Sequence, residues 1–458
     1  MKNTLLPKKM KRCSWGRYPS AEQSIYAPAW APQLTDPFFL NQFKDPNSAI
    51  NSGLKSTVLP YGNGRSYGDV CLNSSGVMLD ISHLDNVISF DAERGVITAE
   101  AGITLRQILK IIVPHGWFLP VTPGTSWVTL GGAIANDVHG KNHHRAGTFG
   151  NHIESLELLR LGTTSTVSPT INAELFQATV AGLGLTGIIL SATLKLIPIA
   201  NHRIEGESIR FESLEEFFEL SSASDAEFEY TVAWLDCLWS KGVRGHFMRG
   251  NHASKSNLPT LKPWSPRWEL ATVPCDVPGI FVKPWTMHCF NFAYYNKQRA
   301  KVAKINQSFE PFFYPLDIVS NWNKLYGANG FFQFQCVVPH AAGEPGIRAV
   351  IEAARLSGAG SFLAVLKEFG SAVSSPGMLS FPRPGYTLCL DFANQGAETI
   401  KLMQRLEQIV IKNGGALYAA KDALMSAESF ASSYPRAAEF ASYIEPGFSS
   451  DFWKRVYK

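Results

Sequence analysis

Tyr61-Gly62-Asn63-Gly64-Arg65-Ser66-Tyr67-Gly68-Asp69 carries glycine at 62, 64 and 68, and its reading decides the rest. Glycine takes positive φ without a steric penalty and lets the backbone come close to a bound group. Successive amides in such a turn form a nest for an anion such as a pyrophosphate. A tight turn that binds nothing has the same look, so the motif needs company. It is not the dinucleotide fingerprint of doubly wound folds, because the GxGxxG phase is absent and no βαβ unit with a downstream ribose-binding acid surrounds it.

Outward from this loop, residues 56–60, 77–82, 87–91 and 96–101 read as short strands punctuated by glycines. Leu105, Ile108, Leu109 and Ile112 recur at helical spacing after Thr104, and Pro114-His115-Gly116 ends that helix. A second glycine-dense stretch follows, Pro123-Gly124-Thr125 and then Gly131-Gly132-Ala133-Ile134-Ala135-Asn136-Asp137-Val138-His139-Gly140. A third, Gly182-Leu183-Gly184-Leu185-Thr186-Gly187-Ile188-Ile189, precedes another strand. Three such loops between residues 61 and 189 exceed what turn-making alone requires. The predicted arrangement is an α+β domain over 1–200, a second domain over 201–395 with a long Pro/Trp-rich loop at 259–285, and a segment over 396–458 that returns to the first domain.

With 458 residues the chain exceeds what one core usually organises, which agrees with two domains. Hydrophobic residues at 45%, charged residues at 17%, 37 Gly and 27 Pro describe a folded, loop-rich protein. The net charge of +4 is small and its basic residues form no long stripe, which argues against nucleic acid as a partner. Lys2, Lys8, Lys9, Lys11, Arg12 and Arg17 precede the first acid; they read first as a solvated, frayed terminus and second as an attraction to an anionic membrane surface. No signal-peptide core follows them and no apolar run approaches the ~18 residues of a membrane span, so a cytoplasmic location is expected. Seven cysteines without a CxxC pair argue against a disulfide framework and a structural zinc site. His139, His143 and His144 lie close together, but no carboxylate or cysteine completes a ligand set, so no metal is expected.

Alternation supplies a second line of evidence. In 331–338 it puts Phe332, Phe334 and Cys336 on one face and Gln333 with Gln335 on the other. In 361–367 it sets Lys367 opposite Phe362 and Leu366, and in 387–392 it sets Thr387, Cys389 and Asp391 opposite Leu388, Leu390 and Phe392. If these strands are neighbours, their polar edges form one sheet face suited to hydroxyls and a phosphate. A face that simply meets solvent is the alternative.

Taken together, the wording of the three loops, with His139-Gly140-Lys141-Asn142-His143-His144 and Tyr418-Ala419-Ala420-Lys421-Asp422, resembles the vanillyl-alcohol-oxidase superfamily with its PCMH-type FAD-binding domain. Within it, the sequence is most similar to the decaprenylphosphoryl-ribose 2'-oxidase family, from Trp15-Gly16-Arg17 to Tyr434-Pro435-Arg436. The resemblance implies a two-domain flavoprotein whose substrate domain is built on an antiparallel sheet flanked by helices. It implies FAD contacts at Gly62, Gly64, Arg65, Ser66, Tyr67, Gly68, Gly124, Thr125, Gly131, Gly132, Asn136, Val138, His139, Ile189 and Tyr418. Many superfamily members tether the flavin through a histidine where this chain has Arg65, so noncovalent FAD is implied. A substrate pocket is implied at Gln333, Gln335, Lys367 and Cys389, with Tyr314 and Trp234 nearby; Thr387 departs from the family's asparagine.

The implied reaction is oxidation of a sugar secondary alcohol, the ribose 2'-hydroxyl of a lipid-linked sugar phosphate, by hydride transfer to flavin N5 (an EC 1.1 type oxidoreductase). Lys421 is the first candidate to hold the alcohol oxygen or take its proton, with His139 and Tyr67 as competitors. Lys367 and Lys141 are candidates for the phosphate, and the 259–285 loop with Phe281 for the lipid chain or a peripheral membrane contact. A short-chain dehydrogenase that reduces the keto product, completing conversion of ribose to arabinose, is the implied partner. Two alternatives stand: an oxidase of a soluble alditol or aldonolactone, and a non-catalytic flavoprotein of polysaccharide assembly.

Overall fold

The computed structural model describes residues 8–35, 57–160, 162–254, 271–278 and 284–458. The polypeptide starts with strand β1 (Lys8–Cys13) paired antiparallel with β2 (Ser20–Tyr26), and β3 (Val58–Tyr61) and β4 (Val77–Asp80) complete a four-stranded sheet in the order β1-β2-β4-β3. Lys8, Lys9, Lys11 and Arg12 therefore belong to a strand rather than to a frayed terminus, because backbone pairing with residues 21–25 fixes them; Lys2 lies outside the described residues.

A five-stranded antiparallel sheet follows, made of β5 (Val87–Asp91), β6 (Val96–Glu100), β7 (Ile153–Arg160), β8 (Thr163–Val167) and β9 (Ile188–Lys195) in the order β5-β6-β9-β7-β8. Helix α1 (Leu105–Ile112) packs its Leu105, Ile108, Leu109 and Ile112 stripe into the core of this half. Thr104 caps it through a reciprocal bond with Gln107, and Gly116 in the left-handed conformation (φ 80°) ends the turn that follows. Short helix α2 (Leu130–Ala135) begins inside the second glycine-rich loop.

The second half is one eight-stranded antiparallel sheet: β10 (Arg203–Phe211), β11 (Tyr230–Asp236), β12 (Arg244–His252), β13 (Val302–Ser308), β14 (Phe331–Pro339), β15 (Ala364–Phe369), β16 (Gly385–Ala393) and β17 (Ala416–Leu417), in the order β13-β10-β12-β11-β15-β16-β14-β17. One face is apolar. Phe332, Phe334, Leu388 and Leu390 meet helices α3 (Leu214–Ser224), α4 (Gly343–Leu356) and α5 (Ala397–Lys412) in a continuous core. On α5 the inward stripe is Leu402, Met403, Leu406 and Val410, each contributing about 1.5–3 kcal/mol by leaving water. The opposite face turns toward the glycine-rich loops. The tail then crosses back: Val58 donates its amide to Gly447, and the last helix, α6 (Asp451–Val456), sits against the end of the first loop.

Of the 259–285 stretch, Trp264, Trp268 and Phe281 lie outside the described residues. Trp285 opens a helix, Pro284–Asn296, with its side chain exposed. Among the described residues, no helix is long and apolar enough to cross a membrane.

Candidate active site

A cavity of about 730 Å³ separates the glycine-rich loops from the polar face of the eight-stranded sheet. Local sterics explain the glycines. Gly64 has φ +55°, and a Cβ on Gly62 would run into the Thr129 side chain, which accepts the Gly132 amide at the start of α2. The first and second loops therefore dovetail. Asn63 Nδ2 donates to the Trp127 carbonyl (2.9 Å), and Asp317 accepts from the Thr125 hydroxyl and the Ser126 amide (both 2.7 Å). Trp15 donates its amide to Ser66 O (2.8 Å) and Tyr67 donates its own to Ala420 O (3.0 Å), joining the loop to both ends of the chain.

The Arg65 guanidinium lies over the rings of Trp15 (4.2 Å) and Trp127 (5.5 Å), and burial lowers its pKa. Its Nε is buried without a hydrogen-bond partner, as is Asn136 Oδ1, and both residues line the cavity. Unsatisfied buried polar atoms in a native site call for a ligand that supplies the missing bonds. Together with loops whose glycines leave the backbone accessible, they fit an extended group bearing phosphates and a polar ring edge, as FAD does.

The opposite wall comes from three adjacent strands in register, with Gln333 opposite Asp391, Gln335 opposite Cys389, and Thr387 opposite both Lys367 and Val337. The polar edges predicted from alternation thus meet on one face. His139 reaches them from the second loop. Lys367 Nζ lies 3.3 Å from His139 Nδ1 and 3.4 Å from Gly140 O, and the Gln335 amide lies 3.0 Å from His139 Nε2 and 3.2 Å from Thr387 Oγ1. The Gln335 nitrogen faces His139 Nε2 and donates to the Thr387 hydroxyl, so His139 is held between Lys367 and Gln335. Burial, reinforced by Lys367, holds the His139 pKa well below its ordinary value, so the ring is neutral.

Lys421 Nζ stands 4.0 Å over the Tyr67 ring. Burial lowers the lysine's pKa and raises the phenol's well above 10. Behind them Asp391 is fully buried, accepting from Gln333 Nε2 (2.6 Å) and Tyr326 OH (3.3 Å), and burial pushes its carboxyl up to about 7. Gln333, which lines the cavity, thus links it to this buried carboxyl. Burial brings Lys141 down to about 8 and, with Lys141's own charge, Lys367 down to about 7. Burial also raises the Cys389 thiol above its ordinary value, so it stays protonated at neutral pH. Four basic side chains line the cavity, Arg65, Lys141, Lys367 and Lys421, against one carboxylate, Asp317, already engaged by Thr125 and Ser126. The cavity is electropositive.

All but two of the residues expected from the sequence line this space. Gly68 does not; its missing side chain makes room for the Asp422 carbonyl, with which a Cβ would collide. Tyr314 is fully buried one layer behind the wall, where its hydroxyl pairs with that of Thr122. Trp234 does line it, with Nε1 donating to Phe362 O (3.3 Å). Trp15, Trp127 and Trp322 also line the cavity; the first two adjoin motifs quoted above, Trp15-Gly16-Arg17 and Pro123-Gly124-Thr125, and the third has no such neighbour. Asp391 could have been found, since alternation put it on the face of Thr387 and Cys389.

Residues 51–168 match the family model described as FAD binding domain. The chain is 38% identical over 415 residues to decaprenylphosphoryl-beta-D-ribose oxidase of Mycolicibacterium smegmatis, covering 87% of this chain and 89% of that one. It is 31% identical over 371 residues to an uncharacterized protein in the mprA 5'region of Streptomyces coelicolor, covering 77% of this chain and all of that one. L-gulonolactone oxidase of Mus musculus is similar only over 140 residues, at 33% identity, 30% of this chain and 31% of that one. A glycine-lined FAD cradle facing a polar, electropositive sheet wall, with similarity along nearly the full length, makes this chain a member of the decaprenylphosphoryl-beta-D-ribose oxidase family of FAD-dependent oxidoreductases.

Proposed function

We propose that the protein oxidises the ribose 2'-hydroxyl of a polyprenyl-phosphoryl ribose, decaprenylphosphoryl-β-D-ribose in the first instance, to the 2-keto sugar. The observation that carries this reading is the set of basic side chains around a wall of carboxamides and hydroxyls: Arg65, Lys141 and Lys367 suit phosphates and the wall suits a sugar. In this reading residues 1–200 with the returning tail hold the cofactor and 201–395 hold the substrate. FAD, held without a covalent bond because Arg65 replaces the tethering histidine, supplies a two-electron acceptor when bound. Lys421, whose pKa burial depresses, takes the hydroxyl proton in its neutral form. Gln333 and Gln335 orient the ring hydroxyls, neutral His139 fixes Gln335, and Lys367 with Lys141 meets the phosphate. The keto product then passes to a short-chain dehydrogenase that reduces the new carbonyl from the opposite face. The lipid chain leads away past the Pro284–Asn296 helix, whose exposed Trp285 and Phe292 suit a peripheral contact with the inner membrane surface.

Anaerobic mixing of the purified flavoprotein with decaprenylphosphoryl ribose tests this directly: the flavin absorbance near 450 nm should bleach, ~ within seconds at saturating substrate. No bleaching with the ribose lipid, but bleaching with a free aldonolactone, would support the soluble-sugar reading. A silent spectrum with both would point to a non-catalytic flavoprotein.

A further inference from the structure

We infer that Arg455, at the far C-terminal end, is a positioning residue for the reaction: from outside the cavity it sets the height of Lys421 over Tyr67. Its Nε and Nη2 clasp Asp69 (2.9 and 2.8 Å), and the same Nη2 donates to Asp422 Oδ2 (2.9 Å), while Nη1 donates to Met425 O. Asp69 stands two residues after Tyr67, and Asp422 immediately follows Lys421. One planar guanidinium therefore spans the two segments that carry the reacting pair. Asp422 also accepts from the Leu424 and Met425 amides through Oδ1 (3.1 and 2.9 Å), so the turn after Lys421 is tied to the same carboxylate.

Two further observations make the arrangement a lever rather than a surface staple. The segments touch backbone to backbone, with Tyr67 N donating to Ala420 O (3.0 Å) and Gly68 leaving no room for a side chain beneath the Asp422 carbonyl. A cation over a ring face is a soft contact without a preferred direction, so the height of Nζ depends on where the backbone at 421 stands relative to that at 67. Arg455 is absent from the cavity lining, and its partners Asp69 and Asp422 have side chains only 8% and 15% exposed. Within such a site a displacement of ~1 Å costs on the order of a hundredfold in rate.

The inference rests on the assignment of Lys421 as the group that takes the proton, and its test separates the two claims. In Arg455→Met the FAD should remain bound while flavin reduction slows about 10- to 100-fold. Lys421, now wetter, should titrate closer to its ordinary value of 10.5. That titration is read from the pH dependence of Lys421 acylation by an amine reagent, which needs no turnover. Arg455→Lys, which keeps one charge but not the fork, should recover part of the rate. Should Arg455→Met fail to fold because Asp69 and Asp422 lose their partner, the triple variant Asp69→Asn/Asp422→Asn/Arg455→Met removes the stranded charges and reports in the same assays. A folded variant with a lower melting temperature but unchanged flavin reduction and unchanged Lys421 titration would overturn the inference. A parent protein that never reduces its flavin with the ribose lipid would overturn the proposed function and leave the titration result standing.

Discussion

Replacing Lys367 by methionine removes a cation while keeping most of the side-chain volume. Its ammonium is half-buried beside His139 and Gly140 O, and burial with the charge of Lys141 brings its pKa from 10.5 to about 7. A charge-assisted hydrogen bond to a phosphate oxygen contributes ~1.5–3 kcal/mol. The KM for a phosphate-bearing ribose lipid should therefore rise about 10- to 150-fold, with kcat within about threefold, because none of the bonds that break involves the phosphate. The parent's KM should climb as pH rises through about 7, where the cation is lost, and the variant should lose that climb. Folding stability moves the other way. A lysine whose folded pKa is depressed destabilises the fold at any pH below its unfolded value, and the full cost is reached below about 7. Ligand-free Lys367→Met should thus be more stable at pH 7, by at most about 4 kcal/mol, and melt higher. Steady-state kinetics from pH 6 to 9 with a ribose lipid and a ribose glycoside lacking phosphate provide the check. Equal penalties on both substrates, or a KM that does not move, would refute the assignment of Lys367 to the phosphate.

Lys421→Met should retain bound FAD and lose about 10²–10⁴-fold in the rate of flavin reduction by stopped flow; a loss below tenfold would transfer the proton to His139 or Tyr67. Cys389→Ser should keep kcat within about threefold, because burial keeps the thiol protonated; a collapse in turnover would give the thiol a chemical role. Gly68→Ala forces a methyl group into the Asp422 carbonyl, and a melting curve should show a loss of ~3 kcal/mol or more together with weaker FAD retention; a stable, yellow variant would contradict the packing. Acid precipitation of the holoprotein should release all the flavin colour to the supernatant, and colour kept in the pellet would show a covalent bond.

The parts of this molecule legible in its sequence are those whose cause is local. Gly64 is glycine because its own φ demands it, and the Thr104–Gln107 cap, the α1 stripe and the alternation of Gln333 with Phe334 are each settled within a few residues. The pairing of the three polar strands needed only the assumption that they are neighbours. What the sequence hid has a distant cause. Gly68 reads as a ligand contact, yet its constraint comes from Asp422, more than 350 positions away in the chain. Tyr314 reads as a pocket residue but spends its hydroxyl on Thr122. The lysines at the N-terminus read as loose charge because nothing in them announces the partner strand Ser20–Tyr26.

The return of the tail has an outcome during biosynthesis. A nascent chain that has just emerged past the third glycine-rich loop already holds every turn around the cofactor, but it lacks Tyr418, Ala420 and the closing guanidinium of α6. The loop around the cofactor site is therefore tied down only when the segment from Tyr418 onward has folded back onto it. Chains stalled before residue 418 should hold the vitamin-derived cofactor more weakly, because Tyr67 then lacks its backbone anchor at Ala420.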